Sequence, residues 1–234
     1  MLRAVLLDVD FTLAKPGPDL GPEGYRRLGA RFGLELDPAR YDRARIVAAE
    51  ALRRHPELDH DEEIWIEFTA RIVEAMGGGG EGVRSCAVEM VHAWEHSHNF
   101  ELFEDVLPVL AELRRHRLKL GLVSNTSRDL DDFVAHHRLD VDAVVSSGYF
   151  GKSKPHPSIF EHVLGALEVR PDEAAMVGDS PGDDVEGARS LGMRAFLLDR
   201  DGRFPGEQGR LTDLLALPAA LGLAGAYPEG PADR

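Results

Sequence analysis

The stretch AVLLDVDFTL, Ala4 to Leu13, joins an apolar run to a pair of aspartates. Its four apolar residues, 4–7, run directly into two aspartates, Asp8 and Asp10. An unbroken apolar run of this kind is typical of a strand that is buried on both faces, as in a parallel sheet. Because strand side chains alternate, we expect Asp8 and Asp10 on the same side where the strand ends. Neighbouring carboxylates repel unless a cation lies between them or one is protonated, so the pair indicates a function.

Length, charge and cysteine content limit what this chain can be. Its 234 residues are enough for one large domain or for a core with a smaller domain inserted. A formal net charge of −14 disfavours nucleic acid or an anionic membrane surface as the main partner. The single cysteine, Cys86, excludes an internal disulfide and is typical of a reducing compartment. No apolar run has the length of a membrane helix or the layout of a signal peptide, so we expect a cytoplasmic protein.

Residues 16–99 carry a helical pattern without the alternation that is typical of strands. Apolar residues recur at helical spacing, which predicts helices over 22–32, 38–55, 64–76 and 83–94. Four consecutive glycines at 77–80 separate the last two of these helices. We therefore expect a small all-helical bundle in this part of the chain.

From residue 104 onward, helical and strand patterns alternate. We predict helices over 106–116, 129–137, 158–167 and 183–191, with a short one near 211–221, and strands over 118–124, 143–147, 174–178 and 194–198. This alternation predicts an α/β fold, a Rossmann-like parallel sheet with helices on both faces. Since the first strand is the opening stretch, we expect a core made of 1–15 and 100–234, with a helical domain of 16–99 inserted after that strand.

Polar residues follow the predicted strands at the point where each one ends. They are Asp8 and Asp10, then Ser124, Asn125 and Thr126, then Lys152 and Lys154 in GKSKPHP, then Asp179, Asp183 and Asp184 in GDSPGDD. In open α/β sheets, ligands bind outside the carboxyl ends of the strands. Converging carboxylates require a cation, and a site of oxygen ligands alone is suited to Mg²⁺. A lysine and the amides at the start of a helix are suited to a phosphate, so the pattern predicts a site for a metal and a phosphate.

These segments together resemble the haloacid dehalogenase-like hydrolases. DVDFTL is similar to the first motif of that family, Asp-x-Asp-x-Thr-Leu, and VSNTS is similar to the second. SKPHP is similar to the third motif, and VGDSPGDDVEGARSLGM to the fourth. The resemblance covers residues 1–14 and about 100–200, with the motifs in the family's order. It implies that the helical stretch 16–99 is the family's helical cap of the first type.

The resemblance also implies a role for each polar residue at the strand ends. Asp8 would be the nucleophile that attacks phosphorus and becomes an aspartyl-phosphate. Asp10 would protonate the leaving oxygen and then activate water as a base. Ser124, the amide of Asn125 and Lys154 would bind phosphate oxygens, and the charge of Lys154 would also neutralise Asp8. Thr12 would orient the loop that carries Asp8 and Asp10, and we include it among the phosphate-binding residues.

The resemblance implies a Mg²⁺ site and, with it, a reaction. Mg²⁺ would be held by Asp8, the backbone carbonyl of Asp10 and Asp179, with Asp184 in support. The expected activity is Mg²⁺-dependent hydrolysis of a small phosphorylated metabolite. The alternatives are a phosphomutase or a dehalogenase on the same core, or a binding and assembly protein without turnover. The dehalogenase relatives lack the second aspartate and need no metal, which disfavours that alternative.

Several assignments stay open at the level of sequence. Lys152 competes with Lys154 for the phosphate, and Asp183 competes with Asp184 for the metal. The hydroxyl residues 124–127 are also suited to a helix N-cap. Arginines that are candidates for a substrate anion crowd one predicted helix: Arg40, Arg43, Arg45, Arg53 and Arg54. The oligomeric state is left undetermined.

Two residues depart from the pattern of the family. Phe11 stands where the family often has glycine, and we expect its ring to narrow the site or to contact the leaving group. His156 stands where aspartate is common, and we expect a change in local pairing more than in chemistry. We also expect the two crossings between core and insert, 15–22 and 98–103, to act as hinges.

Overall fold

The opening apolar run is the third strand of a six-stranded parallel sheet in a computed structural model, which describes residues 1–52, 55–207 and 209–223. The strands are β1 (Ala4–Leu7), β2 (Ala14–Pro16), β3 (Phe100–Leu102), β4 (Lys119–Ser124), β5 (Ala143–Ser146), β6 (Ala174–Gly178), β7 (Arg194–Leu198) and β8 (Arg210–Leu211). The sheet has the order β5-β4-β1-β6-β7-β8, and each neighbouring pair is parallel. This confirms the predicted α/β fold. The two-residue edge strand β8 was not predicted, because so short a segment carries no periodicity.

Helices occupy the chain between β2 and β3, and we call residues 17–99 the helical insert. Its α-helices are α1 (Pro22–Arg31), α2 (Tyr41–Glu50), α3 (Glu62–Ala75) and α4 (Gly82–Glu95). They agree with the predicted helices, except that the one expected over 38–55 begins as a 3-10 turn at Pro38–Arg40 and ends at Glu50. Of its expected residues, 53 and 54 lie outside the described part of the chain.

A short antiparallel ribbon lies where the chain leaves the core and returns to it. Strands β2 and β3 pair with Ala14 opposite Leu102 and Pro16 opposite Phe100. The sequence predicted only a loop here, because strands of three residues, one ending in proline, show no alternation. Two expectations stay predictions: that residues 16–99 form a separate domain, and that its two crossings to the core act as hinges. Residues 224–234 of the expected core lie outside the described residues.

Helices cover both faces of the sheet. They are α5 (Val106–Arg115), α6 (Leu130–His137), α7 (Ser147–Phe150), α8 (Pro157–Ala166), α9 (Gly187–Ser190) and α10 (Leu217–Ala220), with π-helical turns at Pro181–Glu186 leading into α9. Val5 and Leu7 of β1 belong to the apolar core that contains α5 and α6, and Ala4 and Leu6 to the core that contains α8 and α9. This alternation explains why the whole run is apolar, and it leaves the strand ends as the place for polar residues. Among the described residues, none of the helices is long and apolar enough to cross a membrane.

Candidate active site

The carboxyl ends of the strands meet the helical insert at a cavity of about 270 Å³. Of the site residues expected from the sequence, seven line it: Asp8, Asp10, Ser124, Asn125, Lys154, Asp179 and Asp184. Ser124 is the last residue of β4, and Asp8 follows β1 with its amide bonded to the carbonyl of Val177 in β6 at 2.9 Å. The parallel order of the sheet therefore brings residues that are far apart in sequence to one edge.

Asp8 is paired with a buried lysine. Lys154 Nζ lies 2.7 Å from Asp8 Oδ1 and 2.6 Å from Asp184 Oδ1, and it donates to the carbonyl of Val123 at 2.8 Å. Burial opposes the charged form of Lys154, but Asp184 and Asp8 outweigh it, so the pKa of this lysine is raised. Lys154 is therefore a fixed positive charge beside Asp8.

Asn125 holds the backbone of Lys154. Its Nδ2 donates to the Lys154 carbonyl at 3.0 Å, and the Lys154 amide donates to its Oδ1 at 2.7 Å. The competing lysine, Lys152, turns the other way: its Nζ lies 2.6 Å from Asp59 Oδ1 and donates to the carbonyl of Glu57, both in the helical insert. The geometry favours Lys154 as the lysine of the site.

Three carboxylates form a cluster beside this pair. Oxygens of Asp8, Asp179 and Asp184 all lie within 4.8 Å of one another. Burial and then Asp184 raise the pKa of Asp179 to about 6, although Arg203 counteracts them in part. The pKa of Asp8 is also raised, by burial first and by Asp184 and Asp179, against the effect of Lys154. The carboxylates still repel one another despite these cations, and the cluster offers only oxygen ligands, which fits Mg²⁺.

Asp184 occupies its place in the cluster because of a glycine. A Cβ on Gly178 would lie 2.1 Å from Asp184 Oδ2, so only glycine lets this carboxylate reach the strand end. The same oxygen accepts from the amide of Ser180 at 2.9 Å. Asp183 also lines the cavity but is not part of the cluster, so the geometry favours Asp184 as the metal ligand.

Asp10 is held by a residue that the sequence reasoning missed. Arg128 is fully buried, and its Nη1 donates to Asp10 Oδ1 at 2.9 Å. Its Nε donates to the carbonyl of Trp94 at the end of α4 at 3.1 Å, and its guanidinium lies 3.6 Å from the ring centre of Phe100. The two aspartates of the opening stretch therefore have separate cations, Lys154 for Asp8 and Arg128 for Asp10.

Phe11 lies at the junction of core and insert. Its φ of 63° is left-handed, a conformation that glycine adopts more readily. Its ring lines the cavity, with the centre 6.3 Å from that of Trp94 and 5.5 Å from the guanidinium of Arg45. Arg45 is the described member of the arginine group that lines the cavity, while Arg53 and Arg54 lie outside the described residues.

His156, the segment 124–127 and Thr12 differ in how the structure uses them. His156 Nδ1 accepts from the amide of Ser158 at 3.2 Å and thereby caps α8, a change in local pairing. The N-cap of α6 is Asp129, which leaves the hydroxyl residues 124–127 free of that role. Thr12 does not line the cavity: it is fully buried, its hydroxyl has no partner among the described residues, and its carbonyl accepts from Arg200 at 2.9 Å. The geometry therefore gives no support to Thr12 as a phosphate contact.

Comparison with known proteins shows the same family across most of the chain. A family model described as haloacid dehalogenase-like hydrolase matches residues 2–192. A phosphoserine phosphatase of Thermus thermophilus is 32% identical, with 85% of this chain and 89% of that protein covered. The crystal structure of a HAD phosphatase from Thermococcus onnurineus is 27% identical, covers 94% of this chain and 98% of its own, and has a TM-score of 0.63. The putative HAD-hydrolase YfnB from Bacillus subtilis shares the fold at 16% identity, with a TM-score of 0.71 over 94% of this chain and 98% of its own.

Proposed function

The chain belongs to the haloacid dehalogenase-like hydrolases, and we propose that it is a Mg²⁺-dependent phosphatase that hydrolyses a small phosphomonoester through an aspartyl-phosphate. The observation that carries the proposal is the division of the two aspartates: Asp8 beside Lys154 in the carboxylate cluster, and Asp10 on Arg128. A nucleophile and a separate proton carrier are what phosphate transfer to and from a carboxylate needs. The activity for which the Thermus relative is named, phosphoserine phosphatase, agrees with this proposal.

In the first step, a carboxylate oxygen of Asp8 attacks phosphorus, and the bond to the leaving oxygen breaks. Lys154 offsets the negative charge that Asp8 and the phosphoryl oxygens share, and Ser124 and the amide of Asn125 bind phosphoryl oxygens. Asp10 donates its proton to the leaving oxygen, so that an alcohol departs and the carboxylate of Asp10 stays on Arg128.

In the second step, water attacks the phosphorus of the aspartyl-phosphate. Asp10, now ionised, takes the proton of that water and is reset, while Asp8 leaves as a carboxylate beside Lys154. The helical insert, which lines the cavity opposite the sheet, limits the access of bulk water during these steps.

Asp8, Asp179 and Asp184, with the backbone carbonyl of Asp10, would hold the metal ion. When bound, Mg²⁺ supplies positive charge that relieves the repulsion of the carboxylates and of the phosphoryl oxygens. A phosphomutase would use the same groups with a second phosphate site in the insert, and the geometry gives no particular support to one. The cytoplasmic location stays a prediction.

Loss of Mg²⁺ tests this proposal. With p-nitrophenyl phosphate and a panel of small phosphate esters, we expect phosphate release that chelator abolishes and added Mg²⁺ restores. Asp179→Asn should raise the Mg²⁺ concentration for half-maximal activity by about tenfold or more, because one oxygen ligand loses its charge. Mg²⁺ should also raise the melting temperature of the wild type more than that of this variant.

The matched control is Asp183→Asn, a carboxylate that lines the same cavity outside the cluster. It should keep the Mg²⁺ requirement within about threefold of the wild type, because it supplies no ligand in this account. Full release of phosphate in excess chelator would refute the metal assignment. Absence of phosphate release from every ester would favour a binding protein.

Arg128→Met tests the arrangement of Asp10. We expect kcat for an alkyl phosphate to fall by about 10²-fold, since the acid loses the group that aims it, and kcat for p-nitrophenyl phosphate to fall much less. Arg200→Met is the control, because Arg200 is also largely buried and paired with a carboxylate, Asp105, at 2.9 Å. Arg200→Met should lower the melting temperature, and any loss of kcat should be the same for both substrates. Equal losses on both substrates for Arg128→Met would show that Arg128 only stabilises the fold.

A further inference from the structure

The two sides of the cavity differ in chemistry. The core supplies carboxylates, hydroxyls, an amide and a lysine, whereas the helical insert supplies seven aromatic or aliphatic side chains: Tyr25, Tyr41, Trp65, Phe68, Ile72, Val91 and Trp94. We call these seven the apolar roof. A group that leaves the phosphorus toward the insert therefore enters an apolar environment.

The hydroxyl groups in and beside the apolar roof interact with protein atoms. The Tyr41 hydroxyl donates to the carbonyl of Leu20 at 3.3 Å. The side chains of Tyr25 and Thr69 interact with each other, and both residues are buried. These groups are not available to the hydroxyls of a sugar or polyol, and a buried hydroxyl without a partner binds poorly.

Charged residues of the insert in this lining are Arg45 and Glu95. Arg45 is exposed, and its guanidinium lies over aromatic rings, 5.5 Å from the centre of Phe11 and 5.7 Å from that of Tyr41. This places Arg45 at the mouth of the cavity, against ring faces, while the apolar roof covers the interior.

The size of the cavity indicates how large a leaving group it can enclose. Its volume of about 270 Å³ is just below the range of roughly 300–1,000 Å³ that is usual for small-molecule sites. An apolar cavity of about 150 Å³ holds one benzene molecule. The space is therefore enough for a phosphoryl group and one ring.

We propose that the substrate is the phosphomonoester of a compact apolar alcohol about one ring in size. The proposal rests on the phosphatase function proposed above and adds the class of leaving group. The phosphoryl group binds at the sheet edge beside Asp8 and Lys154, and the apolar part of the alcohol packs against Trp65, Phe68 and Trp94.

Benzyl phosphate, glycerol 3-phosphate and O-phosphoserine test this class, because all three release an unactivated alcohol. We expect kcat/KM for benzyl phosphate to exceed the other two by about tenfold or more, from the apolar area that the ring buries. Acetyl phosphate, which has no ring to bind, reports on the phosphoryl chemistry alone. If neither acetyl phosphate nor any of the three esters is hydrolysed, the phosphatase function itself fails; if phosphate is released and benzyl phosphate is not preferred, only the substrate class fails.

Variants of the apolar roof provide a second test of the substrate class. Phe68→Ser should reduce the ratio of kcat/KM for benzyl phosphate over glycerol 3-phosphate by about fivefold, whereas Phe68→Leu, which keeps an apolar side chain, should largely keep it. Ile46→Ser is the matched control: Ile46 is exposed on α2 away from the cavity and should leave both rates unchanged. A preference for O-phosphoserine in the wild type would overturn the proposal and assign Arg45 and Glu95 to the charges of that substrate.

Discussion

Asp8→Asn is expected to lower kcat by about 10⁴-fold or more on every phosphate ester, activated or not. An amide oxygen is a poor nucleophile, and no aspartyl-phosphate forms from it at a useful rate. The loss should be independent of the leaving group, since the variant lacks the attacking atom. Steady-state rates with an alkyl phosphate and with p-nitrophenyl phosphate measure it.

Asp199→Asn is the control for the loss of a buried carboxylate at a strand end. Asp199 follows β7, is nearly fully buried and pairs with Arg210 at 2.7 Å, but it does not line the cavity. It should reduce stability and leave kcat within about threefold. Substantial residual activity of Asp8→Asn would show that a water molecule attacks the ester directly.

Asp10→Asn is expected to have the second-largest effect, and one that depends on the substrate. An alkoxide is a poor leaving group and needs a proton, so phosphorylation of Asp8 by an alkyl phosphate should slow by about 10²–10⁴-fold. p-Nitrophenolate leaves without a proton, so the same step should slow by about tenfold or less. Hydrolysis of the intermediate still needs a base, so the aspartyl-phosphate should accumulate with the activated ester.

Local residue types explain why so much of the site was predictable. The apolar run 4–7 requires a strand that is buried on both faces, and polar residues at consecutive strand ends must meet at one edge of a parallel sheet. Each of Asp8, Lys154 and Asp179 could therefore be singled out from the short segment that contains it.

The partners of the site residues were not predictable in the same way. The ion pair of Arg128 joins it to Asp10 across 118 positions, and nothing near Arg128 in the sequence distinguishes it from a solvated arginine. Its position directly after the hydroxyl segment 124–127 is the one available signal. Pairing of β2 with β3 likewise depends on a contact across the whole helical insert.

The apolar roof shows a related limit of periodicity. Helix α3 has one apolar stripe, but the structure divides that stripe: Val73 is buried in the core and does not line the cavity, while Trp65 and Phe68 stay partly exposed along it. An apolar stripe indicates which face of a helix is shielded from water. Only the packed structure shows whether that face contacts other protein side chains or lines a cavity.

In the proposed reaction, Asp8 becomes phosphorylated while Asp10 moves protons. Acid quench of a single turnover of Asp10→Asn with ³²P-labelled p-nitrophenyl phosphate tests it most directly. We expect protein-bound label on Asp8 that approaches the amount of enzyme and is released by hydroxylamine, with none in Asp8→Asn. Free labelled phosphate from the first time point, without any bound label, would contradict it.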